Sequence, residues 1–262
     1  MIPPDDRGFT LGDGLFETVL AVGGDLLRLE AHLNRLAAGC EMLGLPAPDR
    51  TLAARLMRAA LADAGLGKAR AAVRLTLTAG SGGRGLDRPD SPSLRLVATA
   101  TATATAAASP RPSTPARLVT AGVRRNAQSP ASRLKTLAYL DNVLARAEAR
   151  AAGADEALML NTRGELACAA AANLFWVQGE RLFTPALTCG VLAGVQRARV
   201  AAWMAKAGTP LQEVAAGPEA LATADAVFLT NALIGVRPVA AADGHAFRPH
   251  PLVAQLARDL QD

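Results

Sequence analysis

Pro110, Pro112 and Pro115 lie close together among small residues, a stretch that neither a helix nor a central strand can run through. The chain is therefore expected to fold in two parts: an N-terminal α+β sub-domain over 1–107, a linker over 108–117 and a C-terminal sub-domain over 118–262. In the first part, 15–22 alternates as a strand, Gly23-Gly24-Asp25 reads as a hairpin turn and 26–29 as the returning strand. Leu29, Leu33, Leu36, Cys40 and Leu43 recur at spacings of three and four, which predicts a helix, and Thr51 is placed to cap a second one running to about Ala64. Residues 71–79 predict a strand with Val73, Leu75 and Leu77 on one face. A flexible loop at 81–85 and a strand over 94–105, ending in a strict Ala/Thr alternation, come next. The second part predicts strands near 118–123, 156–161, 166–170, 173–177, 181–184 and 226–231. Its predicted helices are 136–152, 194–207 and from 251 to the end. In the first of these, Leu137, Leu140, Leu144, Ala147 and Ala151 would share the packed face. The fold class is α+β: two sub-domains with mostly antiparallel sheets flanked by helices.

Composition excludes several function classes. Half of the residues are apolar but only 3% are aromatic, so the core is built from Ala, Leu and Val. Three widely spaced cysteines cannot make a disulfide scaffold and fit a reducing compartment. Three histidines with no partner at ligand spacing give no metal site. No apolar run approaches the roughly 18 residues of a membrane span, and the first residues lack a basic-then-apolar leader, so a cytoplasmic protein is expected. Of 28 basic residues, 25 are arginines, scattered beside acids rather than grouped among aromatics. That pattern argues against nucleic acid, and the net charge of +5 suits an anionic small molecule.

Lysine is scarce: Lys68 and Lys206 lie in a turn and at a helix end, leaving Lys135. It reads either as a solvated lysine before a helix or as an amine of lowered pKa able to form a Schiff base with an aldehyde. The turn from Gly190 to Arg197 opens a helix and is either ordinary or a presentation of backbone N–H groups to an anion. Arg35, three residues after His32, is a surface arginine or a phosphate ligand. Gly12-Asp13-Gly14 is a tight turn from which a strand starts at once.

Taken together, these segments resemble the fold-type IV pyridoxal 5′-phosphate (PLP) enzymes, the class of the D-amino-acid and branched-chain aminotransferases. The resemblance runs from Asp6-Arg7-Gly8 to Arg237-Pro238-Val239. It is carried by Gly12-Asp13-Gly14-Leu15-Phe16-Glu17-Thr18, His32-Leu33-Asn34-Arg35-Leu36, Gly80-Ser81-Gly82-Gly83-Arg84-Gly85, Lys135-Thr136-Leu137, Asp155-Glu156-Ala157-Leu158, Ala172-Asn173-Leu174-Phe175-Trp176, Gly194-Val195 and Thr230-Asn231-Ala232-Leu233. The third and last of these lean toward the aminodeoxychorismate lyase members. The resemblance thus implies elimination of pyruvate from aminodeoxychorismate. The alternatives are transamination of D- or branched-chain amino acids, or PLP binding without turnover.

The resemblance also implies roles. Lys135 would hold PLP and move protons, with Thr18 assisting. Arg35 and the N–H groups of Gly194 and Val195, with Gln196 beside them, would bind the phosphate. Asn173 would lie beside the cofactor, as would Tyr139, one helical turn after Lys135. Arg84 would recognise a substrate carboxylate, with Asn231 also on the substrate side, and a partner subunit would complete each site of a homodimer. Two features depart from the pattern. Cys168 stands where relatives place a glutamate against the pyridine nitrogen, and Glu165, at an odd offset along a strand, is a poor substitute. Relatives also carry a strand ahead of the Asp-Arg motif, so either the start codon lies upstream or one sheet lacks an edge strand.

Overall fold

The computed structural model describes residues 2–103 and 114–260, so most of the predicted linker, 108–113, and the tail of the Ala/Thr alternation lie outside the described residues. The chain divides into two compact units, one made of the residues up to 103 with Leu134–Ala138, the other of 114–133 with 139–260. Among the described residues no helix is long and apolar enough to cross a membrane.

The first unit holds α1 (Arg7–Leu11), β1 (Gly14–Val22), β2 (Asp25–Leu26), α2 (Leu29–Met42), α3 (Arg50–Asp63), β3 (Arg70–Thr78) and β4 (Arg95–Ala102). The strands form one antiparallel sheet in the order β2-β1-β3-β4. Period-two alternation turns Leu15, Val19, Val73, Leu75 and Leu77 inward, where they pack with Leu33, Leu36 and Cys40 of α2 and Ala53, Met57 and Leu61 of α3. Two local readings need correction. The returning strand stops at Leu26 because Arg28 adopts a left-handed conformation (φ 57°) and the helix starts at once. Helix α3 is capped by Asp49, whose Oδ1 accepts from Leu52 N at 3.0 Å, and not by Thr51.

The larger correction concerns 134–138. Helix periodicity predicted a helix from Thr136, within the C-terminal sub-domain. Instead the segment turns at Leu134–Lys135 and bridges β1 in the first unit at Thr136. Phe16 N donates to Lys135 O at 2.8 Å, Leu137 N donates to Gly14 O at 3.1 Å, Thr136 bridges Leu15, and Leu134 joins the core. A free strand edge on β1 satisfies these backbone groups, and tertiary pairing outweighs the local helical pattern.

The second unit begins with β5 (Ala116–Thr120). Helix α4 spans only Leu140–Ala151, with Tyr139 at its N-cap; its buried face is Asn142, Ala145 and Ala149. The predicted packed face is wrong by a rotation: Leu140, Val143 and Leu144 are 65%, 59% and 46% exposed. The remaining elements are β6 (Glu156–Leu160), β7 (Leu166–Ala169), β8 (Asn173–Gln178), β9 (Arg181–Pro185), α5 (Val195–Lys206), β10 (Gln212–Val214), α6 (Glu219–Ala222), β11 (Ala226–Asn231), β12 (Gly235–Ala242), β13 (His245–Ala246) and α7 (Pro251–Asp259). The strands make one sheet, ordered β10-β9-β8-β11-β12-β5-β6-β7 with β13 on β12. Antiparallel pairing predominates, with parallel pairs at β9–β10, β5–β12 and β5–β6. Phe175 and Phe228 stack at 4.8 Å under α5 and α7, in a cluster that includes Val200, Met204, Val253 and Leu256. The sequence pattern missed β12, because Pro238 interrupts it; Val236 and Val239 are both buried, but at an odd offset and in two different clusters, so no alternation marks the strand.

Candidate active site

The first unit brings three of the predicted residues, Lys135, Arg35 and Thr18, to β1. Lys135 is half-buried, and its Nζ lies 4.1 Å from the centroid of the Phe16 ring. Its pKa is pushed down to about 8, chiefly by burial, then by the neighbouring Arg35 charge; Glu17 opposes the shift and Arg74 adds to it. Arg35 projects from α2 and forks onto Glu17, with Nε 2.7 Å from Oε1 and Nη2 2.6 Å from Oε2. His32 Nδ1 is 2.7 Å from the same Oε2. Burial alone would raise the Glu17 pKa, but the hydrogen bonds from Arg35 and His32 outweigh it and hold the carboxylate charged. Glu17 thus anchors Arg35 beside the lysine.

Thr18 shares a strand face with Phe16 and is paired directly with Arg74 of β3. The Arg74 guanidinium lies 3.7 Å from the Phe16 ring centroid and its Nε donates to Thr76 Oγ1 at 3.2 Å. Sequence reasoning missed both Glu17 and Arg74. Glu17 stood inside a quoted motif as an acid at an inward strand position, and Arg74 as a charge on the outward face of an otherwise apolar strand.

Arg84 lies at the tip of the Gly82–Asp87 loop, exposed to solvent. The loop, which the sequence suggested is flexible, is tied at its base to Arg7, whose guanidinium donates to Leu86 O and Asp87 O.

In the second unit, α5 starts at Gly194 with no side-chain cap and no acid in its first turn. Its first helical bond runs from Ala198 N to Gly194 O, so the N–H groups of Val195 and Gln196 precede any acceptor within the helix. This is the arrangement that receives an anion. The Gln196 side chain turns away, donating to Leu260 O at 3.3 Å, so only its backbone is available there. Asn173 donates to Leu192 O at 2.9 Å and its Oδ1 lies so close to Gly194 that a Cβ at that position would overlap it. Thr230, directly opposite Asn173 in the β8–β11 pairing, has a buried hydroxyl with no partner. Asn231 is taken up by a turn: Oδ1 accepts from Leu233 N and Ile234 N, and Nδ2 donates to Ala171 O.

Cys168 is buried in β7, and burial pushes its thiol up despite the opposing charge of Arg125. Glu165 accepts from Arg163 and Asn161 at the β6–β7 turn. Tyr139 is not one helical turn past Lys135, because the intervening residues are not helical and α4 starts only at Leu140. Among the described residues no cluster of His, Cys, Asp or Glu is placed to hold a metal ion.

The sequence matches the amino-transferase class IV family over residues 14–242. The chain belongs to that family. It is 30% identical over 261 residues to an aminodeoxychorismate lyase of Vibrio harveyi, covering 99% of this chain and 94% of that one. It resembles the crystal structure of the 4-amino-4-deoxychorismate lyase of Pseudomonas aeruginosa, with 34% identity, a TM-score of 0.86 and coverage of 99% and 94%. It also resembles a fold IV-transaminase of Curtobacterium pusillum, with 27% identity, a TM-score of 0.83 and coverage of 99% and 87%.

Proposed function

We propose that this class IV enzyme is a PLP-dependent lyase that splits 4-amino-4-deoxychorismate into 4-aminobenzoate and pyruvate, a step of folate biosynthesis. The observation that carries the reading is Lys135, an amine whose pKa near 8 leaves a far larger fraction of it uncharged and nucleophilic than an ordinary lysine has, about half at mildly basic pH near 8. PLP has three polar points that this reading has to meet. Lys135 would hold the aldehyde, while Arg35 and the α5 N-terminus at Gly194, Val195 and Gln196 would hold the phosphate. Asn173 and the unpartnered Thr230 hydroxyl supply further polar groups on one face of the second sheet. When bound, PLP supplies an electron sink for a carbon that has lost a proton.

At the third point, the pyridine nitrogen, this chain offers Cys168. Its raised pKa keeps the thiol neutral, so it cannot hold that nitrogen protonated as a carboxylate would. Transamination depends on a strong sink, because the carbanion has to last until it is reprotonated elsewhere. Elimination depends on it less, because the departing group carries the electrons away. Cys168 therefore favours elimination.

Lys135 takes the proton from the amine-bearing ring carbon, with Thr18 assisting from the β1 face. The C–O bond to the side chain breaks, pyruvate departs as its enol, and the ring becomes aromatic. Arg84, an exposed cation, would bind a substrate carboxylate. The second reading is transamination of D- or branched-chain amino acids, and the full-length similarity to a fold IV-transaminase supports its transaminase part.

We read the active form as a homodimer, in which a second copy covers the exposed Leu140, Val143 and Leu144 stripe. Three buried free cysteines fit a cytoplasmic setting. The deciding experiment supplies aminodeoxychorismate in one arm and amino donors with a keto acid in the other. The wild type should release 4-aminobenzoate and pyruvate in equal amounts, and Cys168→Glu should raise transamination. Robust wild-type transamination without pyruvate release would overturn the lyase.

A further inference from the structure

Arg7 has no part in the chemistry above, yet it is only 4% exposed and every nitrogen of its guanidinium is engaged. Nε meets Asp13 Oδ2 at 2.9 Å. Nη2 donates to Leu86 O at 2.9 Å, and Nη1 donates to Asp87 O at 2.8 Å and to Gly82 O at 3.5 Å. Arg88 closes the ring from the other side, its Nε 2.9 Å from Asp13 Oδ2 and its Nη1 donating to Leu43 O. The loop backbone is thus wound around one guanidinium.

The glycines are what allow it. Gly82, Gly83 and Gly85 all have positive φ, and a Cβ on Gly83 would overlap Asp87 O and press on Arg7 Nη1. A turn that only had to reverse direction would not need a buried cation, whose desolvation is costly unless every donor is matched. At the tip of this pinned loop, Arg84 and Leu86 point to solvent.

We propose that Arg7 is a positioning residue: by tying the carbonyls of Gly82, Leu86 and Asp87 to Asp13, it holds the loop so that Arg84 meets a carboxylate of the substrate from one fixed place. The inference rests on the reading of Arg84 as a carboxylate ligand. A guanidinium carried by a preorganised loop loses less freedom on binding than one on a mobile loop, and the gain falls on substrate affinity rather than on the bond-breaking step.

The test compares the holoenzyme with Arg84→Ala, Arg7→Ala, the double variant and Gly83→Ala. Arg84→Ala should raise KM about tenfold with kcat within about twofold, the loss of one charge-assisted contact. Arg7→Ala should do the same, and the double variant should be no worse than Arg84→Ala alone. Gly83→Ala disturbs the loop but keeps the Arg7–Asp13 pair, and decides the matter should Arg7→Ala not fold; it too should raise KM. Tryptic cleavage after Arg84 should be slow in the wild type and about tenfold faster in Arg7→Ala and Gly83→Ala, as expected of local opening. An unchanged KM in Arg84→Ala would overturn the reading of Arg84 and this inference with it. A raised KM in Arg84→Ala beside an unchanged KM in Arg7→Ala and Gly83→Ala, or additive losses in the double variant, would overturn the inference alone.

Discussion

At the scale of single residues, the chemistry turns on how Lys135 shares its surroundings with Arg35 and Glu17. Burial and the Arg35 charge both disfavour the ammonium form, so the folded pKa near 8 lies below the ordinary 10.5. The sign follows: between these two values the unfolded chain holds a proton that the folded one does not, so the apoprotein gains stability as pH rises through that window. Capture of PLP by the apoprotein, followed by its absorbance, should accelerate with pH and level off just above 8. Arg35→Ala should move that midpoint up and Glu17→Gln should move it down. Borohydride reduction and peptide mapping should find the phosphopyridoxyl group on Lys135; finding it on Lys68 or Lys206 would refute the assignment. These residues were legible in the sequence as motifs. Their mutual arrangement was not, because the bond that orders them, Arg35 to Glu17, joins a helix to a strand.

At the scale of elements, the sequence was readable wherever one face of a strand or helix decides the outcome. Strand β1 and helices α2 and α5 fall where periodicity put them, within a residue or so at each end. It failed at 134–138, where Leu137, Leu140 and Leu144 mimic a helical stripe while the backbone completes the edge of β1. It failed again at β12, where a proline masks a paired strand. The start of α5 lends itself to a direct test. Gly194 has an ordinary extended conformation (φ −70°), so a side chain there is excluded by Asn173 Oδ1 and not by strain. Gly194→Ala should displace Asn173 and weaken PLP binding about tenfold or more, measured by titration of the apoprotein, while thermal unfolding of the apoprotein shifts little. The tenfold figure is the loss of about one charge-assisted hydrogen bond. Unchanged affinity would remove the α5 N-terminus from the phosphate site.

At the scale of the whole molecule, light scattering should give a mass near twice the 26.9 kDa of one chain. Leu144→Glu, which places a charge in the exposed α4 stripe, should shift the population toward single chains with lower activity. A fully active single-chain wild type would refute the dimer. The route of the chain has another consequence. It leaves the first unit, builds 114–133, and returns for five residues before leaving again. During synthesis, the first sheet therefore waits with its β1 edge bare and a gap in its core where Leu134 belongs. At about 5–20 residues per second the missing segment arrives roughly 2–7 seconds after residue 103. The reactive amine enters a sheet already built to receive it, so a truncated nascent chain can hold most of a folded unit and none of its chemistry.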